Sequence, residues 1–190
     1  SRILFQKLGD MWGQQFIIDN RGGAGGTIGE AAAAKADPDG YTILYDATAF
    51  SVNPALYPKL PFDYAKDFQG VFLASLVPNI LVVHPGVPAK TLSDVIALGK
   101  AAINGLDFAS SGNGTLQHLC LELFRNAAGI KINHIPYRGG GPALNDVIGG
   151  QLPMMFNNID VVLPHVRAGK LRALAITGDS RSPLLPDVPT

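Results

Sequence analysis

The sequence predicts an α/β fold, a largely parallel sheet covered by helices. Three observations lead there. Short apolar runs alternate with segments of helical periodicity along most of the chain. The junctions between them are rich in Gly, Pro and Ser, the residues that make tight turns. Hydrophobic residues make up 47% of the 190 and charged residues 16%, which supplies a substantial core and is not a disordered composition.

Taken in order, Ile3, Leu4, Leu8, Met11 and Trp12 lie on one helical stripe. Residues 15–19 then read as a strand, 20–26 as a glycine-rich turn, and the alanine-rich 27–36 as a helix closed by Asp37-Pro38-Asp39-Gly40. Residues 41–45 read as the next strand. Residues 46–69, with Pro54, Pro58 and Pro61, read as a long connection of the kind that is often functional. Strands are predicted at 68–76 and 80–84, on either side of Pro78. The helix predicted at 91–102 has Thr91 as its N-cap and Asp94 three residues on, a near capping box.

The alternation then continues. Strands are predicted at 106–109, 132–135, 152–156 and 171–177. Helices are predicted at 115–128, stopped at Gly129, from Pro142 to Ile148, and at 161–168.

Composition also restricts function. The 15 basic and 15 acidic residues cancel, so the basic face of a nucleic-acid binder is not expected. No apolar run approaches the roughly 20 residues of a membrane span. The single cysteine, Cys120, rules out an internal disulfide and a multi-cysteine zinc site, and reads as a buried helix-face residue. The four histidines show no i, i+4 ligand pair, so neither a metal nor a cofactor is expected. The glycine stretch 22–29 misses the dinucleotide fingerprint because Ile28 stands where its third glycine belongs. Gly99-Lys100 and Gly169-Lys170 lack the Ser or Thr of a phosphate loop. No nucleophile elbow is present at 108–112.

Polar loops at strand-to-helix junctions remain, at 110–114 and 136–141, with 47–51 after another strand. Ligands of open α/β sheets bind at such junctions, where helix N-termini offer N–H groups to an anion. Ser110, Ser111, Asn113 and Thr115 add short donors, and Arg138 adds a positive charge. Caps and turns account for the same residues equally well. A hydrogen bond to a charged group is worth about 1.5–3 kcal/mol, and micromolar binding needs about 8 kcal/mol, so four to six donors suffice. The glycine loops alone leave open an α/β enzyme acting on an anionic small molecule, which turnover dependent on His118 would support, although a histidine one turn into a helix more often only braces the loop before it. A ligand sensor for a signalling system is a third reading.

Seven segments together carry a resemblance: 20–26 (NRGGAGG), 38–42 (PDGYT), 53–57 (NPALY), 110–115 (SSGNGT) with His118, 136–143 (PYRGGGPA), 168–175 (AGKLRALA) and 185–190 (LPDVPT). In these the chain resembles the Bug-type periplasmic receptors of the tripartite tricarboxylate transporters. The resemblance implies a type II-like periplasmic binding protein, a Venus flytrap of two α/β lobes joined by crossing strands. Lobe 1 would hold 1–80 and 172–190, and lobe 2 would hold 81–171, with the hinge near Leu81–His84 and Leu171–Ala175. It implies a non-catalytic, monomeric receptor in the periplasm. Its ligand would be a small carboxylate: a di- or tricarboxylate, an acidic amino acid or an aromatic acid. Membrane transporter subunits would be its partners.

The residues this assigns to the ligand are Thr48, Ala49 and Ser51 in lobe 1. In lobe 2 they are Ser110, Ser111, Asn113, Gly114, Thr115, Tyr137, Arg138, Gly139, Gly140 and Asn157. Ala49 stands where many relatives have Thr or Ser, and Asn157 where many have Asp. The family's opening strand and its Pro/Gly-rich loop are not in the sequence, so the chain is expected to be truncated at both ends, with lobe 1 short of a strand.

Overall fold

A computed structural model describes residues 2–190. In chain order the helices are α1 (Arg2–Trp12), α2 (Thr27–Ala34), α3 (Ala49–Leu56), α4 (Leu92–Ala101), α5 (Leu116–Ala128), α6 (Gly140–Ile148) and α7 (Ile159–Arg167). The strands are β1 (Asn79–Val83), β2 (Leu106–Ser110), β3 (Ile132–Pro136), β4 (Met154–Asn158) and β5 (Arg172–Ile176). They form one sheet in the order β3-β2-β4-β1-β5. β2 runs parallel to β3 and β4, and β1 runs antiparallel to β4 and β5.

Both faces of this sheet are buried, which is why β1 reads Asn-Ile-Leu-Val-Val without polar alternation. Ile80 and Val82 point into a core closed by Val147 of α6 and Val162 of α7. Leu81 and Val83 point the other way, onto Val95 of α4 and Leu121 of α5. Each such side chain, removed from water, contributes roughly 1.5–3 kcal/mol. Cys120 is buried in the second core, and burial pushes its thiol up to about 11. The end of the chain returns to the sheet: Ile176 N–H donates to Pro189 O at 2.8 Å, and Leu185 and Val188 pack on the first core.

The helix ends follow their sequence signals. Thr91 and Asp94 complete a reciprocal capping box at α4. Gly129 ends α5 in the left-handed conformation, φ 61°.

Residues 2–77 differ from expectation. The segments 15–19, 41–45 and 68–76 form no ladder, either with one another or with the sheet. Alternation marks which face of a strand is apolar, but a strand also needs a neighbour to satisfy its N–H and C=O groups. None is present among the described residues, and Ile17, Tyr41, Val71 and Leu76 are left exposed. The connection 46–69 contains a helix that was not expected, α3, with Pro54 inside it. Tertiary contacts outweigh the hydrogen bond that Pro54 cannot make. Phe50 meets Tyr64 edge-on at 4.8 Å and Phe68 at 5.2 Å. Asn53 is fully buried, its Nδ2 donating to Glu30 Oε1 at 2.9 Å and to Gly25 O at 3.0 Å.

Candidate functional site

A cleft of about 1880 Å³ separates residues 22–77 from the loops at the carboxyl ends of β2 and β3. Its walls are built from the strand-to-helix junctions. On one side are the glycine turn 22–26 and residues 45–51, and on the other 111–113, 115–117 and 136–139, with Asn158 between them.

The expected residues divide along this wall. Thr48, Ala49, Ser51, Ser111, Asn113, Thr115, Tyr137, Arg138 and Gly139 line the cleft. Ser110, Gly114, Gly140 and Asn157 do not reach it. Ser110 lies at the inner end of β2 with no exposure, held by His134 Nε2 at 2.5 Å and accepting from Gly112 N–H at 3.1 Å. Asn157 is buried, with Oδ1 accepting from Asn158 N–H at 2.8 Å. Gly114 is packed under α3, and Gly140 opens α6.

The two loops beyond β2 and β3 are laced together. Tyr137 N–H donates to Ser110 O and Gly139 N–H donates to Ser111 O, each at 3.0 Å. Thr115 Oγ1 donates to Gly112 O at 2.7 Å, so its hydroxyl holds its own loop. The Tyr137 hydroxyl donates to Asp146, which raises its pKa above the ordinary tyrosine value. Arg138 is exposed and makes no ion pair among the described residues.

Capping separates the cleft from the rest of the molecule. α2, α3, α5, α6 and α7 start at Gly26, Thr48, Thr115, Gly139 and Asn158, all of which line the cleft. None of these starts has a side-chain cap. α4, which begins away from the cleft, has the full box. Backbone carbonyls take some of the first-turn N–H groups, Thr27 bonding Ala24 O, Phe50 bonding Ala47 O, Ser51 bonding Thr48 O and Ile159 bonding Pro78 O; the rest, with the partial positive charge of the helix ends, face whatever fills the cleft.

Sequence reasoning missed three residues that line the cleft, Asn158, Gln117 and Gly25. Asn158 Oδ1 accepts from Asn79 Nδ2 at 3.2 Å and from Gln117 Nε2 at 3.3 Å, forming a polar floor. The doubled Asn at the end of a strand was the available signal. The third is Gly25, at φ 64°. A Cβ there would lie 2.8 Å from Asn113 O across the cleft. Gly114, at φ 76°, answers it from the other wall, where a Cβ would meet Leu56 Cδ1 at 2.7 Å. The two walls touch only because both positions lack a side chain.

Beside the cleft, Glu30 is fully buried, and its carboxyl is pushed above the ordinary value by burial, with Asp46 adding to it. Ser110 and His134 form a hydroxyl–imidazole pair, the first half of a nucleophilic site. Its hydroxyl is fully buried beneath the loop. No group of three or more His, Cys, Asp or Glu suited to a metal occurs among the described residues. No described helix is long and apolar enough to cross a membrane.

Residues 1–190 match the family described as tripartite tricarboxylate transporter family receptor. Protein BugT of Bordetella pertussis is 40% identical over 192 residues, which cover all of this chain and 59% of BugT. A solved structure from Rhodopseudomonas palustris with adipate has a TM-score of 0.95 at 33% identity, covering 100% of this chain and 64% of that one. MatC of the same organism, with bound malate, has a TM-score of 0.91 at 32% identity, covering 100% of this chain and 65% of that one. The chain spans between 55% and 59% of the first curated relatives it matches.

Proposed function

The chain belongs to the tripartite tricarboxylate transporter receptor family, and from that premise we propose that its protein captures a small carboxylate in the cleft and hands it to membrane transporter subunits from the periplasm. One observation carries this reading: every described helix start on the cleft is bare of side-chain caps, while α4, away from it, is capped. A carboxylate is a fitting acceptor for the N–H groups at these starts that no backbone carbonyl engages. A diacid reaches across from the 22–26 and 45–51 wall to the 111–117 and 136–139 wall, and Arg138 adds charge at one end. The diacids bound by the two Rhodopseudomonas palustris proteins have two carboxylates separated by a short chain.

The two-lobe division belongs to the same proposal: 1–80 with 172–190 against 81–171, turning on the antiparallel pair β1 and β5. The sealed Ser110 hydroxyl favours a receptor that releases its ligand unchanged. Titration calorimetry with mono-, di- and tricarboxylates, acidic amino acids and aromatic acids tests the reading. Micromolar or tighter binding of one class is the expected result. Heats of dilution alone across the whole panel would sink it.

A further inference from the structure

Under the 110–115 loop, out of the cleft, lies a pair of stacked imidazoles. The His118 and His134 rings are 4.1 Å apart and nearly parallel, at 10°. Each grips a different part of the loop. His118 Nδ1 accepts the N–H of Gly114 at 3.2 Å, and His134 Nε2 bonds the hydroxyl of Ser110. Ser110 in turn accepts from Gly112 N–H. The loop that presents Ser111, Asn113 and Thr115 to the cleft is therefore held from below by two titratable rings.

We propose that His118 and His134 are positioning residues for this loop, and that protonation of His118 releases Gly114 and weakens carboxylate binding as the surroundings turn acidic. The inference rests on the receptor reading for its binding half only.

The chemistry follows from the hydrogen bonds. To accept from Gly114, Nδ1 must be bare, which places the ring proton on Nε2. A second proton can go only to Nδ1, and two N–H donors then face each other across the former bond. The charged and titratable groups around the pair are few. On α5, Glu122 Oε1 is 3.9 Å from His118 Nε2, and Glu122 is itself paired with Arg125 at 2.6 Å. β3 contributes His134, β2 the uncharged Ser110, and the loop only backbone. Burial, with His118 adding to it, holds His134 down to about 4, so His134 stays neutral above that pH. Above that pH only the ring that holds Gly114 is left to take a proton.

Two measurements on the full chain test this. In amide NMR spectra between about pH 8 and about pH 5, the Gly114 N–H signal should move with the protonation of His118. His118→Asn keeps an acceptor near the Nδ1 position but cannot titrate, and should hold the Gly114 signal still. Calorimetry with malate and adipate reads the second half. Wild-type affinity should fall about fivefold over that range, the loss of one hydrogen bond. His118→Asn should keep the neutral-pH affinity at both ends, and His118→Phe, which retains the stack, should sit near the weaker value throughout. A Gly114 signal that ignores His118, or a His118→Asn protein with the wild-type pH dependence, overturns the proposal. If neither diacid binds at any pH, the receptor reading is in difficulty, and the amide signal alone decides the positioning role.

Discussion

Replacing Glu30 tests how residues 22–68 hold together. Its carboxylate is wholly buried, accepting from Asn53 Nδ2 at 2.9 Å and from the Tyr64 hydroxyl. It thereby ties α2 to α3 and to the aromatic cluster of Phe50, Phe62, Tyr64 and Phe68. Glu30→Ala removes both acceptors and leaves a cavity. Asn53 Nδ2 keeps Gly25 O, so the Tyr64 hydroxyl and one amide proton bear most of the loss. The expected destabilisation is about 2–4 kcal/mol. Glu30→Gln should cost less than about 1 kcal/mol. Its Oε1 accepts from Asn53, and its Nε2 donates to a Tyr64 hydroxyl turned to accept. The two also differ with pH. Burial raises the Glu30 carboxyl above 4.5 in the fold, so the folded chain holds a proton that the unfolded chain has released. Its contribution to stability is greatest in acid and is lost as pH rises from 4.5 through the raised value. Glu30→Gln should remove that slope. Urea unfolding followed by circular dichroism from about pH 4 to about pH 8 measures both. Equal destabilisation by Ala and Gln, or an unchanged slope in Gln, would refute the hydrogen-bond assignment.

Other perturbations probe other parts of the structure. Gly25→Ala places a methyl 2.8 Å from Asn113 O in addition to the left-handed strain, so ligand affinity should fall about tenfold by calorimetry with the protein still folded. His134 titrates at about 4 in the fold against 6.5 outside it, so its neutral form supports the fold fully above 6.5, and that support is lost as pH falls towards 4. Discounted for the partial exposure of the ring, this amounts to about 1–2 kcal/mol, and His134→Asn should flatten the slope in thermal melts. Thr91→Ala should cost about 1 kcal/mol by loss of the capping box and leave affinity untouched, because α4 begins away from the cleft.

The sheet and its helices were legible wherever local signals and tertiary packing agreed. The run 80–83 is continuously apolar because both faces of β1 are covered, and Thr91 with Asp94 spelled out a cap that formed. The segments 15–19, 41–45 and 68–76 carry equally good strand patterns and stayed unpaired. A pattern records which side of a strand avoids water, not whether a neighbour lies beside it. α3 was hidden by Pro54, since its support comes from Glu30 and Tyr64, which are distant in sequence. At the cleft, the junction rule found the right loops. It could not tell that Ser110 and Asn157 turn inward while Ser111 and Asn158 face the opening, because a one-residue step along a strand reverses the side chain. The bracing by His134 was invisible for the same reason as α3: it comes from the next strand over.

The uncapped helix starts also bear on how the protein behaves in a test tube. A cleft that offers N–H groups from several helices does not stay without acceptors between ligands. Water fills it, and so does any small oxyanion in the buffer. On the proposed reading sulfate, phosphate, acetate and citrate are competitors, and a dissociation constant measured in their presence is multiplied by one plus the competitor's concentration over its own dissociation constant. Chemically similar acids would appear to differ when only the buffers did. A cationic buffer with chloride as its counterion leaves the cleft to its ligand.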